Sequence, residues 1–129
     1  MRGMNSDTIS KINLVLKINN KGSVSCQLKR HLSPMTVGLI TRKLPLKGNA
    51  HKMGEYAIYF QTEINSGAER KSVDFKKGDI AFLPTGGCIC FFINNTNNGK
   101  PMSIIGKIID GIDELNVVKT SDVLSISSG

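Results

Sequence analysis

From Ile12 to Ile18 the chain alternates, with Ile12, Leu14, Leu16 and Ile18 on one side and Asn13, Val15 and Lys17 on the other. After the turn-forming stretch Asn19-Asn20-Lys21-Gly22, Val24, Cys26 and Leu28 alternate in the same way with Ser23, Ser25 and Gln27. A period of two sends successive side chains to opposite faces of a strand, so the two runs predict a β-hairpin. Ser33-Pro34 supplies a helix N-cap followed by proline at the first helical position, and Val37, Ile40 and Leu44 recur at helical spacing until Pro45 ends the run. One short helix is predicted there. Residues 46–54 carry two glycines and no periodicity, and read as an exposed connection.

The second half reads as short strands. Glu55 to Phe60 is rich in aromatic and aliphatic residues, Ser72 to Phe75 alternates, and Lys77-Gly78-Asp79 turns the chain into the apolar run Ile80 to Leu83. Pro84-Thr85-Gly86-Gly87 makes the next turn. Cys88 to Ile93 is apolar on both faces, which a strand tolerates only inside a closed or covered sheet. A polar loop, NNTNNGKP, leads to a strand at Met102 to Ile109. Ile112 to Val118 has room for about two helical turns begun by the acidic pair Asp113 and Glu114, and Val123 to Ser127 closes as a strand. Strands this dense argue for a sandwich or a barrel, and a barrel removes the exposed edges that such strands would present. The expectation is a single domain over residues 1–129, mostly β, with residues 1–8 flexible.

Composition narrows the function classes. The 129 residues hold 17 Lys and Arg against 10 Asp and Glu, a net charge of +7, and lack tryptophan. The excess is uneven: residues 1–54 hold ten basic residues and Asp7 alone as an acid, while residues 55–129 hold seven basic and nine acidic. Such asymmetry raises the question of a phosphate-binding face made by Lys11, Lys17, Lys21, Lys29, Arg30, Arg42, Lys43, Lys47 and Lys52. Those cations are scattered singly, however, with no Arg/Gly tail, RNP-like motif or zinc-finger spacing, which argues against nucleic acid as the partner. No stretch approaches the roughly 18 apolar residues of a spanning helix, and the start lacks a secretory apolar run. Three cysteines, two of them one residue apart, are no disulfide framework and fit a reducing compartment, so a cytoplasmic location is expected.

Several ordered motifs resemble the cyclophilins. Ser33-Pro34-Met35-Thr36-Val37 resembles their helix start, Cys90-Phe91-Phe92-Ile93 their paired-phenylalanine strand, and Gly106-Lys107-Ile108-Ile109-Asp110-Gly111-Ile112-Asp113 the strand that leads into their last helix. The chain is more similar still to a group of small, uncharacterised prokaryotic cyclophilin-like proteins, through Gly54-Glu55, Ile58-Tyr59-Phe60, Gly78-Asp79, Pro84-Thr85-Gly86, Cys90 with Phe91-Phe92, and Ile105-Gly106-Lys107-Ile108. The resemblance spans about residues 33–129. It implies a closed antiparallel barrel of about eight strands with two short capping helices.

It also frames the chemistry. Rotation about an X-Pro bond faces a barrier of about 18–20 kcal/mol set by amide resonance. The family implies an arginine that weakens this resonance beside an apolar socket for the proline ring. The Phe-His-Arg signature is missing, and the match puts Tyr59 where the arginine would stand, Cys90 at a glutamine, Met102 near a histidine and Pro84 near an asparagine. Phe92 alone keeps the apolar socket. Losing donors aimed at a transition state points to an isomerase of low or no activity. The leading expectation is therefore a binding module for a small molecule or peptide, with Tyr59, Phe82, Pro84, Cys90, Phe92 and Met102 lining an apolar cleft. Core packing is the competing reading of Phe82, Phe92 and Met102. Tyr59 should share a strand face with Glu55 and Ala57, with Tyr56, Ile58 and Phe60 opposite. No catalytic residue, metal or cofactor is expected.

Three further features carry less. Cys88 and Cys90 share a strand face and would suit a soft metal only if Cys26 or His31 joined them. A Cys90 nucleophile would need His31 or His51 beside it, although both histidines read as exposed. Asn94-Asn95-Thr96 fits a glycosylation pattern but reads as a polar turn, and Gly86-Gly87 starts no phosphate loop.

Overall fold

A computed structural model describes residues 10–19, 22–97 and 100–129. Residues 1–8, the centre of the first turn and part of the polar loop lie outside the described residues. Lys11–Ile18 (β1) and Gly22–Lys29 (β2) form the expected hairpin, with Leu16 opposite Val24 and Leu14 opposite Cys26. The helix α1 spans Pro34–Lys43. Then follow Leu46–Asn49 (β3), His51–Met53 (β4), Ala57–Gln61 (β5), Lys71–Ser72 (β6), Asp79–Leu83 (β7), Cys88–Phe92 (β8), Met102–Asp110 (β9) and Val123–Ser128 (β10). The Ile112–Val117 stretch is a 3-10 helix, tighter than the α-helical turns expected.

All strand pairs are antiparallel, in the order β3-β10-β1-β2-β9-β7-β8-β5-β4, with β6 added to β9. The nine strands of this path curl into a nearly closed barrel, because β3 returns against β5. Gly48 sets that approach: a Cβ there would stand 3.1 Å from Phe60 Cδ2 and 3.2 Å from the Gln61 carbonyl. The same glycine explains why residues 46–54 do not read as strands. Their sequence, LKGNAHKMG, trades a hydrophobic period for close backbone approach, yet β3 pairs with β10 and β4 with β5, so the exposed connection is in fact two strands.

The barrel interior takes Leu14, Leu16, Val24 and Leu28 from the hairpin, Ile80 and Phe82 from β7, Ile89 and Phe91 from β8, and Leu124 and Ile126 from β10. Val37 and Ile40 of α1 enter the same core, as do Leu115 and Val118 around the 3-10 helix. Each such large side chain contributes about 1.5–3 kcal/mol on full burial. Ser33 does not cap α1 with its side chain; its hydroxyl donates to the Ile104 carbonyl at 2.9 Å. The Glu69 carboxylate takes that role, accepting the N–H of Met35 at 3.0 Å and of Thr36 at 2.6 Å. Among the described residues no helix is long and apolar enough to cross a membrane.

Candidate binding site

The wall formed by β5, β7 and β8 is apolar on both faces. On β8, Ile89 and Phe91 point into the barrel, while Cys88, Cys90 and Phe92 point out and pack with Ala57, Ala81 and Met102. A second apolar layer of this kind needs a cover. Phe75 supplies it: 1% exposed, its ring stacks on Phe92 with centroids 4.4 Å apart and planes at 15°. Backbone hydrogen bonds in both directions between Phe75 and Thr96, 2.8 and 2.9 Å long, hold the ring there. The Tyr56 ring also stacks against Phe92, with centroids 6.1 Å apart. It sits in the Gly54-Glu55-Tyr56 turn, outside the alternation of β5, and so joins the outer layer instead of the side of Ile58 and Phe60. The strand expected from Ser72 to Phe75 shrinks accordingly to β6 and a single bridge at Phe75.

Beside this sealed patch the wall stays open. A groove of about 630 Å³ runs past Met53, Tyr59, Leu83, Pro84 and Cys88, and Ala68, Lys71, Thr85, Lys100 and Pro101 complete its lining. The half-buried Tyr59 ring lies 5.3 Å from that of His51, its partner across β4 and β5. The turn at the groove's rim depends on Gly87, whose φ is +65° and where a Cβ would come within 2.6 Å of the Ile64 carbonyl. Nothing larger fits.

Among the described residues, two ammonium groups and no carboxylate border the groove. The thiols beneath it are quiet. Burial pushes Cys90 far above an ordinary thiol, and a neighbouring Cys88 charge would push the same way, with Lys100 opposing both. Burial also raises Cys88, again against Lys100. Cys26 is pushed up to about 12 by burial inside the barrel. A thiolate is the reactive form, so none of the three is a ready nucleophile at neutral pH. Cys26 also lies on the opposite side of the barrel wall from Cys88 and Cys90, and among the described residues no three His, Cys, Asp or Glu side chains are gathered to hold a metal ion. His31 and His51 are both exposed. The Asn94 amide, in the polar turn, donates to the Glu55 carbonyl at 2.7 Å.

Of the six residues expected to line a cleft, Tyr59 and Pro84 reach the groove. Cys90, Phe92 and Met102 lie in the sealed outer layer, fully buried, and Phe82 points into the barrel core, as the packing reading has it. The structure adds Met53, Cys88, Lys71 and Lys100, which sequence reasoning missed. Phase of the strand could have shown Cys88, two residues before Cys90. Phe75, the one aromatic ring in the mostly polar stretch from Ser66 to Lys77, was a signal for the cover. Of the basic residues of the first half, Lys11, Lys17, Lys29 and Lys47 stand on β1, β2 and β3 of one wall, with Lys11 opposite Lys29 and with Ser125 of β10 between Lys17 and Lys47; Arg42 and Lys43 end α1, and Lys21 lies outside the described residues.

A family model described as Cyclophilin-like matches residues 11–127. The chain belongs to the cyclophilin-like family. Its barrel is similar to the solution structure of a hypothetical protein from Archaeoglobus fulgidus, with a TM-score of 0.74 at 23% identity over 93% of this chain and 96% of that one. It is also similar to McbB in complex with tryptophan, with a TM-score of 0.73 at 14% identity, covering 89% of this chain and 44% of that one. At these identities the likeness is one of fold. No curated protein sequence matches the chain. For this cyclophilin-like barrel, the socket that the family resemblance assigns to a prolyl ring, at Phe92, is the patch that Phe75 covers, and no arginine borders the adjoining groove among the described residues.

Proposed function

We propose that this cyclophilin-like chain is a non-catalytic binding module that takes a small molecule or peptide in the groove beside Tyr59. One observation carries the reading: the apolar wall is divided, closed at Phe92 by the chain's own Phe75 and open at Tyr59. A prolyl ring has no socket to enter, while the groove keeps an apolar floor, a phenol and two ammonium groups. Its volume falls within the range of about 300–1,000 Å³ usual for ligand sites. Among the described residues its lining holds no acid–base or nucleophilic pair of the kind catalysis uses: the thiols sit above their ordinary range, and no carboxylate lines it. That a neighbour of the same fold, McbB, has been captured with tryptophan supports a small ring-bearing ligand.

The reading is tested by nuclear magnetic resonance with a fragment collection, alongside a protease-coupled prolyl isomerisation assay. Binders should perturb Tyr59 and Leu83, Tyr59→Ala should weaken them about tenfold, and the wild-type chain should show no turnover above background. Substantial isomerase turnover in the wild type would overturn the proposal.

A further inference from the structure

We infer that the groove selects an anion with an apolar body, a free small carboxylic acid bearing one aromatic or branched apolar group. Its carboxylate lies between Lys71 and Lys100 and its body over Met53, Leu83 and Pro84. The inference rests on the groove being the binding site. Its own basis is how charge is sorted. Residues 55–129 hold nine acids against seven bases, yet the groove draws two of those bases, from β6 and from the residue before Pro101, and none of the acids. Both lysines are exposed, and two ammonium groups bordering an apolar floor, with no acid in the lining among the described residues, favour an anion over a neutral ligand. The reach of Lys100 extends to the floor, since its charge acts on both Cys88 and Cys90.

The floor also bears on the choice between a free acid and a chain terminus. β5 is paired to β4 and β8, β8 to β5 and β7, and β7 to β8 and β9, so these floor strands present no unpaired backbone edge for a peptide to extend, and such an edge is left only at β4 and β6 on the groove's margin. A compact acid needs none. The Tyr59 hydroxyl and the Thr85 hydroxyl complete the polar lining, and the ring of Tyr59 offers a face for an aromatic body.

Titration calorimetry at low salt with 3-phenylpropanoate, its neutral amide and N-acetylglycyl-phenylalanine separates the cases. The acid should bind about fivefold to tenfold more tightly than the amide, as two exposed ion pairs allow. The preference should vanish at about 0.5 M salt. It should also vanish in Lys71→Gln/Lys100→Gln and persist in Lys71→Arg/Lys100→Arg. Equal binding of acid and amide, both weakened by Tyr59→Ala, would overturn the anion assignment and leave the groove reading standing. Tighter binding of the peptide than of the acid would overturn the choice of a free acid. If none of the three probes binds or perturbs Tyr59, the groove reading falls with its ligand.

Discussion

The two walls of the barrel are made of the same kind of strand but meet different surroundings. In β1 and β2 the inward positions Leu14, Leu16, Val24 and Leu28 are buried, whereas outward positions such as Lys11, Lys17, Ser23 and Ser25 face water or its margin. In β8 all five residues are buried, and three of them belong to the outer layer, where Phe75 covers Phe92. A strand with one solvated face writes its orientation in its sequence, because only alternation keeps polar groups wet. A strand covered on both sides loses that record, and a second hydrophobic layer has to be sought elsewhere in the chain. Here it comes from one phenylalanine in a polar segment.

The largest test of this contrast is Phe92→Ala. If the outer layer is packed like a core, the substitution should cost about 3–5 kcal/mol by urea denaturation, as much as Phe91→Ala on the inner face. Val15→Ala, on the outer face of the solvated wall, should cost under about 1 kcal/mol. A loss from Phe92→Ala no larger than that from Val15→Ala would erase the distinction between the walls.

Glu69 gives a smaller effect with a defined pH dependence. Burial alone would raise its carboxyl, but hydrogen bonds from the Thr36 side chain and from the N–H groups of Thr36 and Met35 outweigh it and hold the carboxyl below the ordinary range. The folded state therefore favours the ionised form. Its stabilising share is complete above the pKa of about 4.3 of an unfolded Glu and is lost as pH falls through the lower folded value. Glu69→Gln should cost about 1 kcal/mol at neutral pH, the usual worth of a helix cap, and the difference from wild type should shrink across that acid window. An unchanged difference at low pH would show that the charge does not matter.

The smallest effect concerns reactivity alone. Cys88 is 7% exposed and lines the groove, while Cys26 and Cys90 are sealed. Iodoacetamide should label the native protein at Cys88 first, more slowly than a free thiol because burial holds the thiolate down, and faster as pH rises. Mass spectrometry reads the order. Labelling led by Cys90 would mean that the outer layer is open.

Much of this fold was legible. The alternation of Ile12 to Leu28 specified the hairpin, Ser33-Pro34 marked the start of α1, and ordered motifs pointed to the cyclophilin-like barrel that the structure forms. What escaped depended on distant partners. β3 and β4 are strands because β10 and β5 pair with them, not because LKGNAHKMG has a strand's period. The cap of α1 comes from Glu69, 33 and 34 residues away from the amides it accepts. In the site, strand phase and resemblance led to Tyr59 and Pro84, but Lys71 and Lys100 belong to polar stretches whose meeting is decided by the pairing of β6 with β9.

Glu69 sits between Ala68 and Lys71, which bank the groove, and its own N–H is anchored to the Ser103 hydroxyl at 2.9 Å. One carboxylate thus ties the groove's edge to the first turn of α1, whose Val37 and Ile40 reach the centre of the barrel. If the groove takes the ligand proposed above, a shift of this bank should be read at the Met35 and Thr36 amides, two backbone resonances that touch no ligand.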